Sequence, residues 1–138
     1  MPIATISLRR GKPAAYRRAI CDGVHESLVK VVGIPQDDRF QLVNEYDEDH
    51  FIFDRNYLGI ERSDDLVIIQ ITLRVGRSRE LRVALHKDIA ARLSRSPGVR
   101  PQDVMIVLVE NDYADWSVGN GEAPLMKLLT AEVALEAQ

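Results

Sequence analysis

Pro2, Asp38, Arg74 and Arg77 are the residues of this 138-residue chain with the most chemistry to offer. The chain opens Met1-Pro2-Ile3. An initiator methionine before a small second residue is usually trimmed, and Pro2 then carries a free secondary amine able to act as base, acid or nucleophile. Such an amine has no flexible side chain, so the strand that follows holds it wherever the fold puts its start. The reference pKa of an α-amine is about 7.7–8.0. A carboxylate such as Asp38 nearby raises it and favours an acid, whereas guanidiniums and burial lower it and favour a base. Arg74 and Arg77 are also suited to hold a substrate carboxylate through paired, charge-assisted hydrogen bonds. The N–H groups at the start of the helix after them favour an anion too.

The remaining composition narrows the class. A net charge of −3 argues against a nucleic-acid binder that works by phosphate neutralisation. The single cysteine, Cys21, has no internal partner, suits a reducing compartment and reads as a small packed residue. No apolar run approaches membrane-spanning length, so a cytoplasmic protein without membrane contact is expected. No cluster has metal-ligand spacing, and there is neither a phosphate-loop glycine pattern nor a nucleophilic triad. His25 falls within a helical pattern and reads as a surface or hydrogen-bonded histidine rather than a catalytic one.

Four strands and two helices must position these groups. Ile3 to Leu8 alternates as a strand, and Pro13 suits the first turn of a helix. That helix carries Tyr16, Ile20, Val24, Leu28 and Val31 at helical spacing and stops at Gly33 and Pro35. Phe40 to Val43 restarts a strand. Leu66 to Leu73 is nearly continuously apolar and reads as a central strand covered on both faces. Ser78 caps a second helix with Leu81, Leu85, Ile89 and Leu93 on one face. Gly98 and Pro101 stop it, Val104 to Val109 reads as a buried strand, and residues 122–138 read as a tail helix.

The two halves are copies. Ile6-Ser7-Leu8-Arg9-Arg10-Gly11-Lys12 lies over Ile71-Thr72-Leu73-Arg74-Val75-Gly76-Arg77 at an offset of 65 residues, and the register continues through the helices. After a one-residue slip, Gly33 to Asp37 answers Gly98 to Asp103. The chain is thus expected to be one α+β domain, 1–138, with pseudo-repeats at about 2–64 and 65–121. Each repeat is a β-α-β unit with parallel strands. A pseudo-twofold joins the units into a four-stranded mixed sheet, first strands antiparallel, both helices on one face. The opposite face keeps apolar side chains and needs a partner, so an oligomer is expected. This topology sets Pro2 beside the end of the third strand, with Arg74 and Arg77, and beside the start of the second, with Asp38. The duplicate place carries Val67 instead of a proline amine and should be inert.

These residues resemble a known family. Pro2, the stretch Pro35-Gln36-Asp37-Asp38-Arg39-Phe40, Arg74 with Arg77, and Asp115-Trp116-Ser117-Val118-Gly119-Asn120-Gly121 are together similar to the tautomerase superfamily, above all its malonate semialdehyde decarboxylase branch. The resemblance implies a trimer and no cofactor or metal. It implies Pro2 and Asp38 as catalytic, Arg74 and Arg77 as carboxylate-binding, and Trp116 as an apolar wall over the substrate. The chain departs from the branch in having two residues, Val75 and Gly76, between the arginines and in carrying Val118 where phenylalanine is usual.

The expected function is therefore an enzyme of small oxo acids that decarboxylates a 3-oxo acid to an aldehyde and CO2. Keto–enol tautomerisation of a phenylpyruvate-like or dienol acid, with Pro2 as proton carrier, is the alternative. Hydration of an unsaturated acid is a third chemistry open to the same groups. A non-catalytic βαββαβ module that binds a small molecule is the rival class.

Overall fold

The computed structural model describes residues 1–129. Its strands are β1 (Ile3–Arg9), β2 (Gln41–Tyr46), β3 (Val67–Arg74) and β4 (Val104–Asn111). Helix α1 (Ala14–Ser27) runs on into a π-helical segment, Leu28–Val32, and α2 spans Arg79–Arg95. The sheet order is β2-β1-β3-β4, with the two parallel pairs on the outside and an antiparallel pair, β1 with β3, in the centre.

The pairing preserves the 65-residue offset. Ala4 faces Gln41 in the first unit and Ile69 faces Ile106 in the second; in the centre, Ile3↔Thr72 maps onto Ile68↔Ser7. The one-residue slip expected before β2 and β4 is not carried into the strands. By strand register Asp38, rather than Asp37, stands where Asp103 stands in the second unit. The duplication also reaches further than the sequence reading took it. The 3-10 turn after β2, Glu48–His50, corresponds to the turn after β4, Tyr113–Asp115.

Both helices cover one face. Ala4, Ile6 and Leu8 of β1 and Val67, Ile69, Ile71 and Leu73 of β3 pack against Ile20, Val24, Leu85, Ile89 and Leu93, all nearly excluded from solvent. The helices approach closely at Gly23, where an added Cβ would lie 2.8 Å from Leu93 Cδ2. Each ends at a left-handed glycine, Gly33 at φ 82° and Gly98 at φ 100°, whose N–H returns to the carbonyl of Leu28 or Leu93 at 3.0 Å. Ser78 caps α2 by accepting from the Leu81 N–H at 3.1 Å.

Two expectations about burial change. β3 is central but covered on one face only, with Gln70 exposed, and β4 is an edge strand with Met105, Val107 and Val109 exposed. Their apolar runs serve two different surfaces, the helical core and an uncovered sheet face that includes Ile3. Residues 126–129 of the tail are helical, and the rest of the expected tail helix lies outside the described residues. No helix among the described residues is long and apolar enough to cross a membrane.

Candidate active site

Strand register brings the expected residues to one corner. Ile3 pairs with Thr72, so the residues before β1 run alongside Leu73 and Arg74 at the end of β3. On the other side the Ala4 N–H donates to the Phe40 carbonyl at 3.0 Å, which sets the loop before β2 beside the amino terminus. That loop is tied down. His25, buried on α1, donates from Nε2 to the Gln36 carbonyl at 2.8 Å, and the Asp38 N–H donates to the Pro35 carbonyl at 3.1 Å. The structural reading of His25 stands. Cys21 is buried, and burial pushes its thiol pKa up, in keeping with a packing role.

Asp38, Arg74, Arg77 and Met1 line a hollow of about 370 Å³, with Ile34 and Leu125 as apolar neighbours. The Met1 amine lies 3.5 Å from Asp38 Oδ2. It stands one residue outward from the Pro2 nitrogen, and Pro2 itself is buried. Burial lowers the pKa of this amine; Asp38 opposes the change, Arg77 and then Arg74 add to it, and the net result lies below the ordinary value. The other Asp38 oxygen, Oδ1, is buried without a hydrogen-bond partner among the described residues. A buried carboxylate oxygen left open is costly unless a ligand fills it.

The arginines are held without being neutralised. Arg77 Nη1 donates to the Arg74 carbonyl at 2.9 Å, and Arg74 Nη1 donates to the Val75 carbonyl at 3.1 Å and to the Tyr113 hydroxyl at 2.8 Å. Neither is ion-paired among the described residues. Burial, then the adjacent Arg74 charge, weakens the hold of Arg77 on its proton. Gly76, at φ 119°, leaves room for the first of the pair: a Cβ there would lie 3.2 Å from Arg74 Nη1.

Trp116 lies close by but not in the same hollow. With Met1, Ile3, Phe40 and Val118 it lines a neighbouring one of about 210 Å³. Its indole Nε1 donates to Asn111 Oδ1 at 2.7 Å, and the turn before it is closed by reciprocal Asp112 and Asp115 caps. Sequence reasoning missed Tyr113 altogether. The signal for it was the offset itself, continued past β4 to set Tyr113 over Glu48.

The duplicate corner, at the start of β3, presents equivalent positions closed among themselves. Val67 replaces Pro2. Asp103, the counterpart of Asp38, accepts from the Ser63 N–H and hydroxyl at 2.7 and 2.6 Å and from Arg100 at 3.1 Å. Arg9, the counterpart of Arg74, pairs with Asp64 at 2.8 Å, and Lys12, the counterpart of Arg77, pairs with Asp65 at 2.8 Å. A hollow of about 590 Å³ lies here, larger than the one beside Met1, but acids and bases alternate around it. Asp47, Asp49 and His50 form a group on this side with ligand atoms within 4.8 Å of one another, all exposed; the sequence reading had not picked it out as metal-ligand spacing.

Comparisons with known proteins agree with the fold. Residues 38–119 match a family model described as a tautomerase enzyme, and residues 2–60 match a second of the same description. The chain is 37% identical over 127 residues to the probable tautomerase YusQ of Bacillus subtilis (strain 168), covering 92% of this chain and 100% of that protein. Among solved structures, a malonate semialdehyde decarboxylase with decarboxylase and hydratase activities superposes with TM-score 0.86 at 32% identity, over 91% of this chain and 96% of that one. A malonate semialdehyde decarboxylase inhibited by 3-bromopropiolate gives TM-score 0.84 at 36% identity, over 94% and 96%.

Proposed function

The chain belongs to the tautomerase superfamily, in its malonate semialdehyde decarboxylase-like branch, and from that premise we propose that it decarboxylates a small 3-oxo acid through the Pro2 amine after loss of Met1. The observation that carries the proposal is the convergence on one hollow of the amino terminus, Asp38 and two guanidiniums without ion-pair partners among the described residues.

In this reading Arg74 and Arg77 bind the substrate carboxylate. The Pro2 nitrogen adds to the carbonyl at C3 and water leaves, giving an iminium. The arginines hold the carboxylate so that the C1–C2 bond lies across the iminium plane. The pair in that bond flows into the iminium as CO2 departs, and the resulting enamine takes a proton at C2. Hydrolysis returns the aldehyde and free Pro2. Asp38 orients the amine and balances the positive charge that develops on it. Burial and then the two arginines lower the pKa of the Met1 amine at this corner; the Pro2 nitrogen freed by loss of Met1 would face the same groups, and only a neutral amine can add to a carbonyl.

The same lowered pKa favours a second reading, keto–enol tautomerisation. There Pro2 takes a proton from the enol oxygen and returns one to carbon, and the apolar hollow beside Trp116 takes the substituent of an arylpyruvate. The exposed apolar sheet face, with Ile3, Met105, Val107 and Val109, supports assembly as a homotrimer.

Intact-mass measurement is the first test, since a retained Met1 blocks the amine and overturns both readings. Malonate semialdehyde decarboxylation and phenylpyruvate ketonisation are then assayed side by side against Pro2→Ala. Borohydride trapping with the aldehyde acid should leave a reduced adduct on Pro2. Wild-type rates equal to Pro2→Ala in both assays would remove Pro2 from the chemistry.

A further inference from the structure

We propose that Tyr113 is a positioning residue: its phenol, set beneath and against Arg74, aims that guanidinium at the substrate carboxylate while leaving its charge uncancelled. The inference rests on the reading of Arg74 as carboxylate-binding given above.

Tyr113 is 5% exposed and begins the short turn that follows β4. The turn fixes it, because the Asp112 carboxylate accepts from the Tyr113 N–H at 2.7 Å and Asp115 accepts from the Asp112 N–H at 2.8 Å. Its hydroxyl accepts from Arg74 Nη1 at 2.8 Å, and the Arg74 guanidinium carbon lies 4.8 Å from the centre of its ring. A neutral acceptor and an aromatic face both attract a cation, and neither supplies a negative charge to compete with an incoming anion. Gly76 completes the seat: an added Cβ would lie 3.2 Å from Arg74 Nη1 and 3.6 Å from the Tyr113 hydroxyl.

The internal duplication supplies the control. At the position equivalent to Tyr113 the first unit carries Glu48, whose carboxylate lies 4.0 Å from Arg9 Nη1, with Asp64 at 2.8 Å from the same nitrogen. There the arginine is spent on the protein's own acids. A phenol at this position therefore separates an arginine available to a ligand from one already paired with carboxylates.

The test titrates ¹⁵N-labelled protein with malonate, a carboxylate that lacks the reactive carbonyl, following the Arg74 Nε–H resonance. Tyr113→Phe keeps the ring and removes the hydroxyl, and it should weaken malonate binding about tenfold, as expected for one lost hydrogen bond to a charged group. Tyr113→Glu, which recreates the pairing of the other unit, should remove the response. In turnover Tyr113→Phe should raise KM about tenfold with a smaller change in kcat. Its folded spectrum should match wild type, since the buried ring stays in place, while its thermal midpoint should fall modestly with the hydroxyl's hydrogen bonding. Equal malonate affinity in wild type, Tyr113→Phe and Tyr113→Glu overturns the inference, as does a wild-type Arg74 resonance that malonate does not move. Malonate binding that depends on Tyr113 in a protein without turnover leaves this inference standing and removes the proposed reaction.

Discussion

The corner at the start of β1 and the corner at the start of β3 are built by one topology, and corresponding positions in them do opposite things. At the first, among the described residues, Asp38 keeps an oxygen without a partner, Arg74 and Arg77 bond only to neutral groups, and the terminal amine lies among them. At the second, Asp103, Arg9 and Lys12 are each matched by an opposite charge from a neighbouring loop. Phe51, the counterpart of Trp116, is stacked on Tyr46 with ring centroids 5.8 Å apart and meets Phe53 edge-on. Guanidiniums without ion pairs at one corner and ion-paired cations at the other, among the described residues, favour the first as the candidate ligand site, although the second has the larger hollow. Space does not make a site; unmet charge does.

The largest effect should come from the residue with no counterpart. Pro2→Ala replaces the secondary amine and should lower kcat about 10³-fold, within the range of acid–base and nucleophilic groups. Val67→Ala, at the matching place, should leave kcat unchanged and cost about 1–3 kcal/mol of stability as a truncated core side chain. Steady-state kinetics beside chemical denaturation separate the two outcomes. A Val67→Ala variant that loses turnover while folded would break the comparison.

The arginines come next. Arg74→Ala should lower kcat/KM for a carboxylate substrate about 10²-fold, the loss of a charge-assisted contact with an anion. Arg9→Ala should not change it, and its cost in stability should be small because its pair with Asp64 is exposed on the acid side. Measuring an acid substrate against its methyl ester sharpens the test, since only the acid should notice Arg74.

How much of this was legible in the sequence follows from which contacts are set by the backbone. The meeting of Pro2, Asp38 and Arg74 follows from strand direction and a pseudo-twofold, and a constant offset between Arg9 and Arg74 suffices to find it. The partners that open or close each corner are different. Tyr113 reaches Arg74, and Asp64 reaches Arg9, from loops whose course no hydrophobic period encodes. The slip between Asp37 and Asp38 is of the same kind: proline and glycine markers place a turn, while only strand pairing counts the residues through it. The exposure of β4 was hidden because Met105, Val107 and Val109 are as apolar as core residues, and composition does not tell a helix-covered face from one left uncovered.

The acids give the smallest effects and the clearest signs. At Asp103 burial works against the charged form, but the Ser63 hydroxyl and N–H together with Arg100 outweigh it and hold the carboxyl below the usual range. A carboxyl with a depressed folded pKa contributes stability that is complete above its unfolded pKa, about 3.9, and is lost as pH falls through the folded value. Asp103→Asn should therefore cost about 1–3 kcal/mol near neutral pH, flatten the acid limb of stability and leave the pH–rate profile in place. In the proposed reaction Asp38 bears on function instead. Its charge raises the pKa of the terminal amine against the burial and the two arginines that lower it. With the neutral amine as the active form, activity should rise with pH through a limb below the ordinary α-amine range, and Asp38→Asn should move that limb lower still. A limb that stays in place in Asp38→Asn, or moves in Asp103→Asn, would mean that the two carboxylates do not divide their work as the two corners divide their charges.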